Sequence, residues 1–185
     1  MIILASASPR RKEILEQAGV EFRVVPSSYD ESTLEVTTID EYSKKLSYYK
    51  AMDIYSKYPN DTIIASDTIV VINDKILGKP KDEQDAFEML SLLSGNKHSV
   101  ITSVCIMHQG KIDNFVSKSH VSFYKMSEKD INEYIATKEP MDKAGAYAIQ
   151  GKAAKYIRSI NGDYYTIVGL PIAKVIKSLK KLKAI

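Results

Sequence analysis

The residues with the strongest chemical character come at the start of the chain, where Ser6-Ala7-Ser8-Pro9-Arg10-Arg11-Lys12 follows the apolar run Ile2-Ile3-Leu4-Ala5. Ser8 suits an N-cap and Pro9 the first helical position. Arg10 and Arg11 therefore fall in the first turn of a helix, where the helix dipole favours acids over cations. Two guanidinium forks beside the N–H groups of a helix start make a receptor for an anion with several oxygens, and the pattern reads as a polyphosphate site. An arginine pair at a helix end also occurs simply because arginine solvates well and propagates helices, so other residues have to decide.

Asp67 lies between two apolar β-branched runs, Ile63-Ile64-Ala65 and Ile69-Val70-Val71-Ile72. A carboxylate there is costly unless it meets a cation or a metal, which favours function over a simple cap or turn. Glu31 stands in the polar stretch Tyr29-Asp30-Glu31-Ser32 and by itself could be merely solvated. Lys50 ends a tyrosine-lysine stretch, and Lys79 is presented between Gly78 and Pro80; either lysine alone is more often a solvent-facing amine than a functional one. In Gly145-Ala146-Tyr147-Ala148-Ile149-Gln150-Gly151 the small residues allow a backbone to approach a flat ligand, and Gln150 can offer a paired donor and acceptor to a base edge. A plain glycine-bounded turn fits the same letters.

Familiar alternatives are missing from the sequence. There is no Gly-x-x-x-x-Gly-Lys-Ser/Thr phosphate loop and no Gly-x-Gly-x-x-Gly fingerprint. Three histidines (His98, His108, His120) and the single Cys105 exclude a thiolate zinc site and give no credible triad. Carboxylates and cations remain, and for phosphate chemistry that pairing implies Mg2+ or Mn2+, hard ions that take oxygen ligands. With 26 basic and 23 acidic residues the net charge is +3, too weak a field for nucleic acid as the main partner. The lone cysteine in an apolar run, the lack of a signal-peptide pattern and the lack of a span-length apolar stretch lead to the expectation of a cytoplasmic protein without a membrane partner.

These groups need a scaffold, and 185 residues that are 44% hydrophobic can bury one core, in a single domain over 1–185 or one domain with two lobes around a cleft. A helix is expected from Pro9 to Ala18 with Ile14 and Leu15 inward, ended by Gly19, then a strand over Phe22–Val25. Ser27–Thr37 reads as an exposed connection. Thr38-Ile39-Asp40-Glu41 is a capping-box pattern for a helix that stops before Pro59. Asn73-Asp74 and Gln109-Gly110 mark tight turns between strands, Asp82 caps a helix ending at Ser94-Gly95, and Ser127 caps another. A strand near Tyr156–Ile160 precedes a turn at Asn161-Gly162 and a final amphipathic helix whose lysines face solvent. Hairpins mixed with strand-helix units argue for α/β with a mixed sheet.

Five ordered blocks together resemble one family. Ser6-Ala7-Ser8-Pro9-Arg10-Arg11, Ser66-Asp67-Thr68, Gly78-Lys79-Pro80, Lys138 to Tyr147 with Ile149-Gln150-Gly151, and Asn161 to Tyr165 with Val168-Gly169-Leu170-Pro171 are similar to the Maf family of nucleoside triphosphate pyrophosphatases, across essentially the whole chain. The resemblance implies an elongated mixed α/β sheet with flanking helices and two lobes around a central cleft, as in inosine triphosphate pyrophosphatases. It also implies a homodimer that hydrolyses triphosphates to monophosphate and pyrophosphate as house-cleaning. Carried to matching positions, Asp67 is the proton acceptor and Glu31 its acidic partner in metal binding. Ser6, Arg11, Lys50 and Lys79 bind the triphosphate, and Arg10, Thr68 and Gln150 set base specificity.

Pro-Arg-Arg, Asp-Thr and Ile-Gln-Gly resemble the branch acting on dTTP, UTP and some modified pyrimidine triphosphates, not the branch acting on 7-methyl-GTP. One departure is Ala148, where glycine often follows the tyrosine. The alternatives in view are a nucleotide-binding regulator of septum formation without catalysis, and a purine-preferring triphosphatase of similar fold.

Overall fold

The computed structural model describes residues 1–35 and 38–185. In chain order the regular elements are β1 (Ile2–Leu4), α1 (Pro9–Gln17), β2 (Arg23–Val24), α2 (Ile39–Tyr55), β3 (Thr62–Ile72), β4 (Lys75–Leu77), α3 (Glu83–Leu93), β5 (Lys97–His108), β6 (Lys111–Phe123), α4 (Glu128–Ala136), β7 (Ile157–Asn161), α5 (Tyr164–Val168) and α6 (Ile172–Leu182). Short 3-10 turns occupy Glu31–Thr33, Glu139–Asp142, Ala144–Ala146 and Lys152–Tyr156. The strands form one mixed sheet in the order β2-β1-β3-β5-β6-β7, with β4 paired to β3. The expected mixed α/β class is what the chain adopts. Among the described residues no helix is long and apolar enough to cross a membrane.

Packing divides the chain into two units, Met1–Asp67 with Thr102–Ser117 and Gly169–Ile185, and Thr68–Ile101 with Lys118–Val168. In the first unit, β1 pairs in parallel with both β2 and β3, with Ile3 opposite Arg23 and Ile63. A strand flanked on both sides and covered on both faces has to be apolar throughout, which is why Ile2-Ile3-Leu4 has no alternation. Ile3, Ala5, Ala51, Ile54, Ile63, Ala65, Cys105 and Met107 make the core here. Cys105 is free and buried, and burial pushes its thiol up to about 12, so it is inert packing. The α6 lysines are exposed, as expected, while Val175, Leu179 and Leu182 face inward.

In the second unit a larger core gathers Val70, Leu90, Val121, Phe123, Tyr134 and Tyr147 among others. Asn73 and Asp74 both take positive φ in the turn from β3 to β4, as do Gln109 and Gly110 between β5 and β6, which is the chirality tight hairpins need. Asp82 and Ser127 cap α3 and α4 through Asp85 N–H and Asp130 N–H, the latter as a full capping box.

Four local expectations change. The two β-branched runs around Asp67 are a single strand, because its polar interruption finds partners without breaking the ladder. The strand expected over Phe22–Val25 is only Arg23–Val24. Ser8 is the N-cap residue of α1 but its side chain makes no capping bond; its N–H instead donates to Ser6 Oγ at 3.2 Å. The connection expected over Ser27–Thr37 holds a 3-10 turn capped by Asp30, whose Oδ1 accepts from Ser32 N–H at 2.9 Å. Its last two residues, 36–37, lie outside the described residues.

Candidate active site

Five of the residues singled out from the sequence converge within the first unit. The loop after β1 brings Ser6, and the first turn of α1 brings Arg11 back over it, so that Arg11 Nη1 donates to Ser6 Oγ at 3.1 Å. Arg11 Nε donates to the Gly169 carbonyl at 2.9 Å, and the same oxygen accepts from Ser66 Oγ at 2.9 Å. Burial draws the Arg11 guanidinium below its ordinary value while Asp67 opposes that shift, and arginine stays charged regardless. These two acceptors are neutral, so the guanidinium is oriented without being neutralised by them.

Asp67 follows Ser66 on β3, and α2 lays Lys50 across it. Lys50 Nζ is ion-paired to Asp67 Oδ1 and, at 2.6 Å, to Glu31 Oε1. The side chains of Lys50 and Asp67 are only 15% and 13% exposed, against 48% for Glu31. The cation that an acid in an apolar strand requires is thus Lys50. Glu31 reaches the amine because its arm is fastened at the root: Asp53 Oδ2 accepts from Ser27 Oγ at 2.8 Å and Ser28 N–H at 2.7 Å, and Tyr29 stacks on Tyr49 at 5.2 Å. On α2, burial and then the charges of Asp67 and Glu31 raise the Tyr42 phenol above its ordinary value.

Arg10 is half-buried in the first turn of α1. Thr68, Lys79 and Gln150 belong to the second unit, Thr68 half-buried on β3 and the other two exposed. There the loops of Lys79 and Gln150 are joined by a bond from Gly145 N–H to the Gly78 carbonyl at 3.0 Å. A Cβ on Gly145 would strike Val70, and its φ is +69°, so the approach of these loops demands glycine. Gln150 sits in a tight turn closed by Gly151 N–H on the Ala148 carbonyl at 3.1 Å.

Sequence reasoning missed Ser66 as an oriented group, Tyr42, and the Gly169 carbonyl. Asp67 and Glu31 offer carboxylate oxygens that converge on one cation. That donor set suits a hard divalent ion of the kind held by one or two acids with water and phosphate completing its shell. Among the described residues no group of three or more histidines, cysteines or acids is gathered.

The Maf-like protein family matches residues 1–182 of the chain. The chain belongs to the Maf family. Similar proteins include a dTTP/UTP pyrophosphatase of Acholeplasma laidlawii, 50% identical over 182 residues, covering 97% of this chain and 95% of the relative. Another dTTP/UTP pyrophosphatase, from Geobacillus sp. strain WCH70, is 46% identical over 181 residues, 98% of this chain and 97% of the relative. A third, from Halalkalibacterium halodurans, is 45% identical over 179 residues, 97% and 94% respectively. The matched residues run from β1 to the end of α6.

Proposed function

We propose that this Maf protein hydrolyses the α–β phosphoanhydride of dTTP and UTP, releasing the nucleoside monophosphate and pyrophosphate, as a house-cleaning enzyme. The observation that carries the reading is one oriented cluster. Asp67 is held by Lys50, Lys50 also holds Glu31, and Arg11 is held by Ser6 and Gly169, all in a chain nearly co-extensive with relatives named for that activity.

In the proposed reaction Asp67 takes a proton from water, whose oxygen bonds to phosphorus as the bond to the bridging oxygen breaks and pyrophosphate leaves. Arg11, Lys50 and the Ser6 hydroxyl meet the negative oxygens, so catalysis is positioning plus electrostatics. Asp67 and Glu31 would hold Mg2+ or Mn2+, which supplies charge neutralisation at the phosphates and acidifies a bound water. Lys79 is assigned to the triphosphate and Arg10, Thr68 and Gln150 to choice of base, from motif correspondence. A homodimer is expected, read as twice the mass of one chain by light scattering.

The test is pyrophosphate release from dTTP, UTP, CTP, ATP, GTP, ITP and 7-methyl-GTP with Mg2+, Mn2+ or EDTA. Metal-dependent turnover of dTTP and UTP is expected. Asp67→Asn should lower kcat by roughly 10²–10⁴-fold, the range for a lost general base, with its unfolding midpoint preserved. Near-normal turnover by that variant would refute the assignment, and nucleotide binding without turnover by wild type would favour the regulator.

A further inference from the structure

Gln150 reaches solvent at the tip of a turn, and each flank of that turn is tied by its backbone N–H to a side chain, one to Glu139 and the other to Tyr134. On the far side, the backbone N–H of Lys152 donates to Glu139 Oε1 at 3.1 Å and to Oε2 at 2.9 Å. On the near side, Ala148 N–H donates to the Tyr134 hydroxyl at 3.3 Å. Tyr134 comes from the buried face of α4 and Glu139 from the 3-10 turn after it, so the clamp is anchored in rigid elements of the second unit. Gly151 confirms how closely it shuts: a Cβ there would land on the Glu139 carboxylate, although the Gly151 φ of −106° is open to any residue. Glycine is needed at 151 for space, and the space is filled by Glu139.

We propose that Glu139 and Tyr134 are positioning residues for base selection, clamping the turn from Ala148 to Lys152 so that the Gln150 carboxamide is presented in one orientation. The proposal rests on the reading of Gln150 as a base-reading group. A carboxamide separates uracil and thymine, with a ring N–H beside a carbonyl, from cytosine, with a ring nitrogen beside an amine, only if its Cα is held at a fixed place and angle against the base edge. A loose turn lets the carboxamide drift and tilt away from that edge, and discrimination is lost before turnover is. Glu139→Gln weakens the far tie, since a neutral amide is a poorer acceptor than a carboxylate and one of its two heads becomes a donor. Tyr134→Phe removes only the near tie and leaves the ring in the core.

The experiment measures kcat/KM for UTP and CTP in wild type, Gln150→Ala, Glu139→Gln and Tyr134→Phe, with unfolding midpoints for each. Gln150→Ala should lower the UTP-to-CTP ratio by about tenfold, the size of one good hydrogen bond. Glu139→Gln should lower it by a comparable factor and Tyr134→Phe by several-fold, with turnover of the poorer substrate retained. A merely structural role moves both substrates together and leaves the ratio alone. If Gln150→Ala changes the ratio and neither clamp variant does, the clamp is wrong. If Gln150→Ala itself leaves the ratio unchanged, the base-reading assignment fails, and the selection role of the clamp with it.

Discussion

Lys50 is where the electrostatics of the first unit are settled, since one amine answers two carboxylates that come from a strand and a loop far apart in sequence. Asp67 was legible as costly because its neighbours are apolar. Glu31 was not, because a glutamate among polar residues looks the same whether it is solvated or paired, and only the family resemblance singled it out. His98 shows the same blindness in the other unit. It is 2% exposed, shares a 2.8 Å hydrogen bond with the Tyr147 hydroxyl and packs edge-on to Phe123. Burial, with His120 adding to it, holds the ring down to about 4 from the ordinary 6.5. Above about pH 6.5 the ring is neutral in folded and unfolded chains alike. As pH falls from there towards 4 the unfolded chain gains a proton that the folded chain refuses, so stability drops, by about 3 kcal/mol in all. Urea unfolding of wild type and His98→Phe at pH 7.0, 5.5 and 4.5 should show a shallower decline in the variant. Equal slopes would mean that His98 is not the group responsible.

At the scale of elements, the signals that worked are those in which one residue type has a local job: Asp82 and Ser127 as caps, Asn73-Asp74 and Gln109-Gly110 as turns. The 3-10 turns and α5 were not foreseen, since one or two turns of helix carry too little periodicity to register. A cap signal was present for α5, however: Asp163 Oδ2 accepts from Thr166 N–H at 2.8 Å and from its hydroxyl at 2.7 Å. The Glu31 arm is the element whose order matters most for the proposed ion. Its root depends on Asp53, whose carboxyl is held down to about 2 chiefly by Lys57, with Ser27 and Ser28 adding to it. Asp53→Ala removes the acceptor for all three. The expected result is a loss of about 1–3 kcal/mol in stability together with a several-fold rise in the Mg2+ concentration for half-maximal turnover. Stability loss without any change in the Mg2+ titration would show that the root does not govern Glu31.

For the molecule as a whole, composition and element order indicated the mixed sheet correctly, and the pairing of β1 with both β2 and β3 follows from a strand too apolar to sit at an edge. Which residues form each compact unit was not readable, because β3, β5 and β6 each contribute to both. Each unit has its own apolar core, and Asp67 and Glu31 already have Lys50. A metal ion is therefore not needed to hold the fold, unlike structural sites where ion binding is folding energy. Chelation with EDTA should abolish pyrophosphate release while leaving the thermal midpoint within about 2 °C of its untreated value. A midpoint that falls by the several degrees expected of even 1 kcal/mol would contradict this.

The bifurcated acceptor at Gly169 has an implication for how this protein tolerates mutation. Its oxygen orients Arg11 and Ser66, yet it belongs to the main chain, so no codon change deletes it. Residue 169 can vary only against its φ of +127°, and any sensitivity found there by substitution would report conformation and miss the acceptor entirely. An alanine scan of the whole chain would leave the oxygen that aims the arginine off its map; replacing the amide after Gly169 with an ester, whose carbonyl accepts more weakly, would put it on.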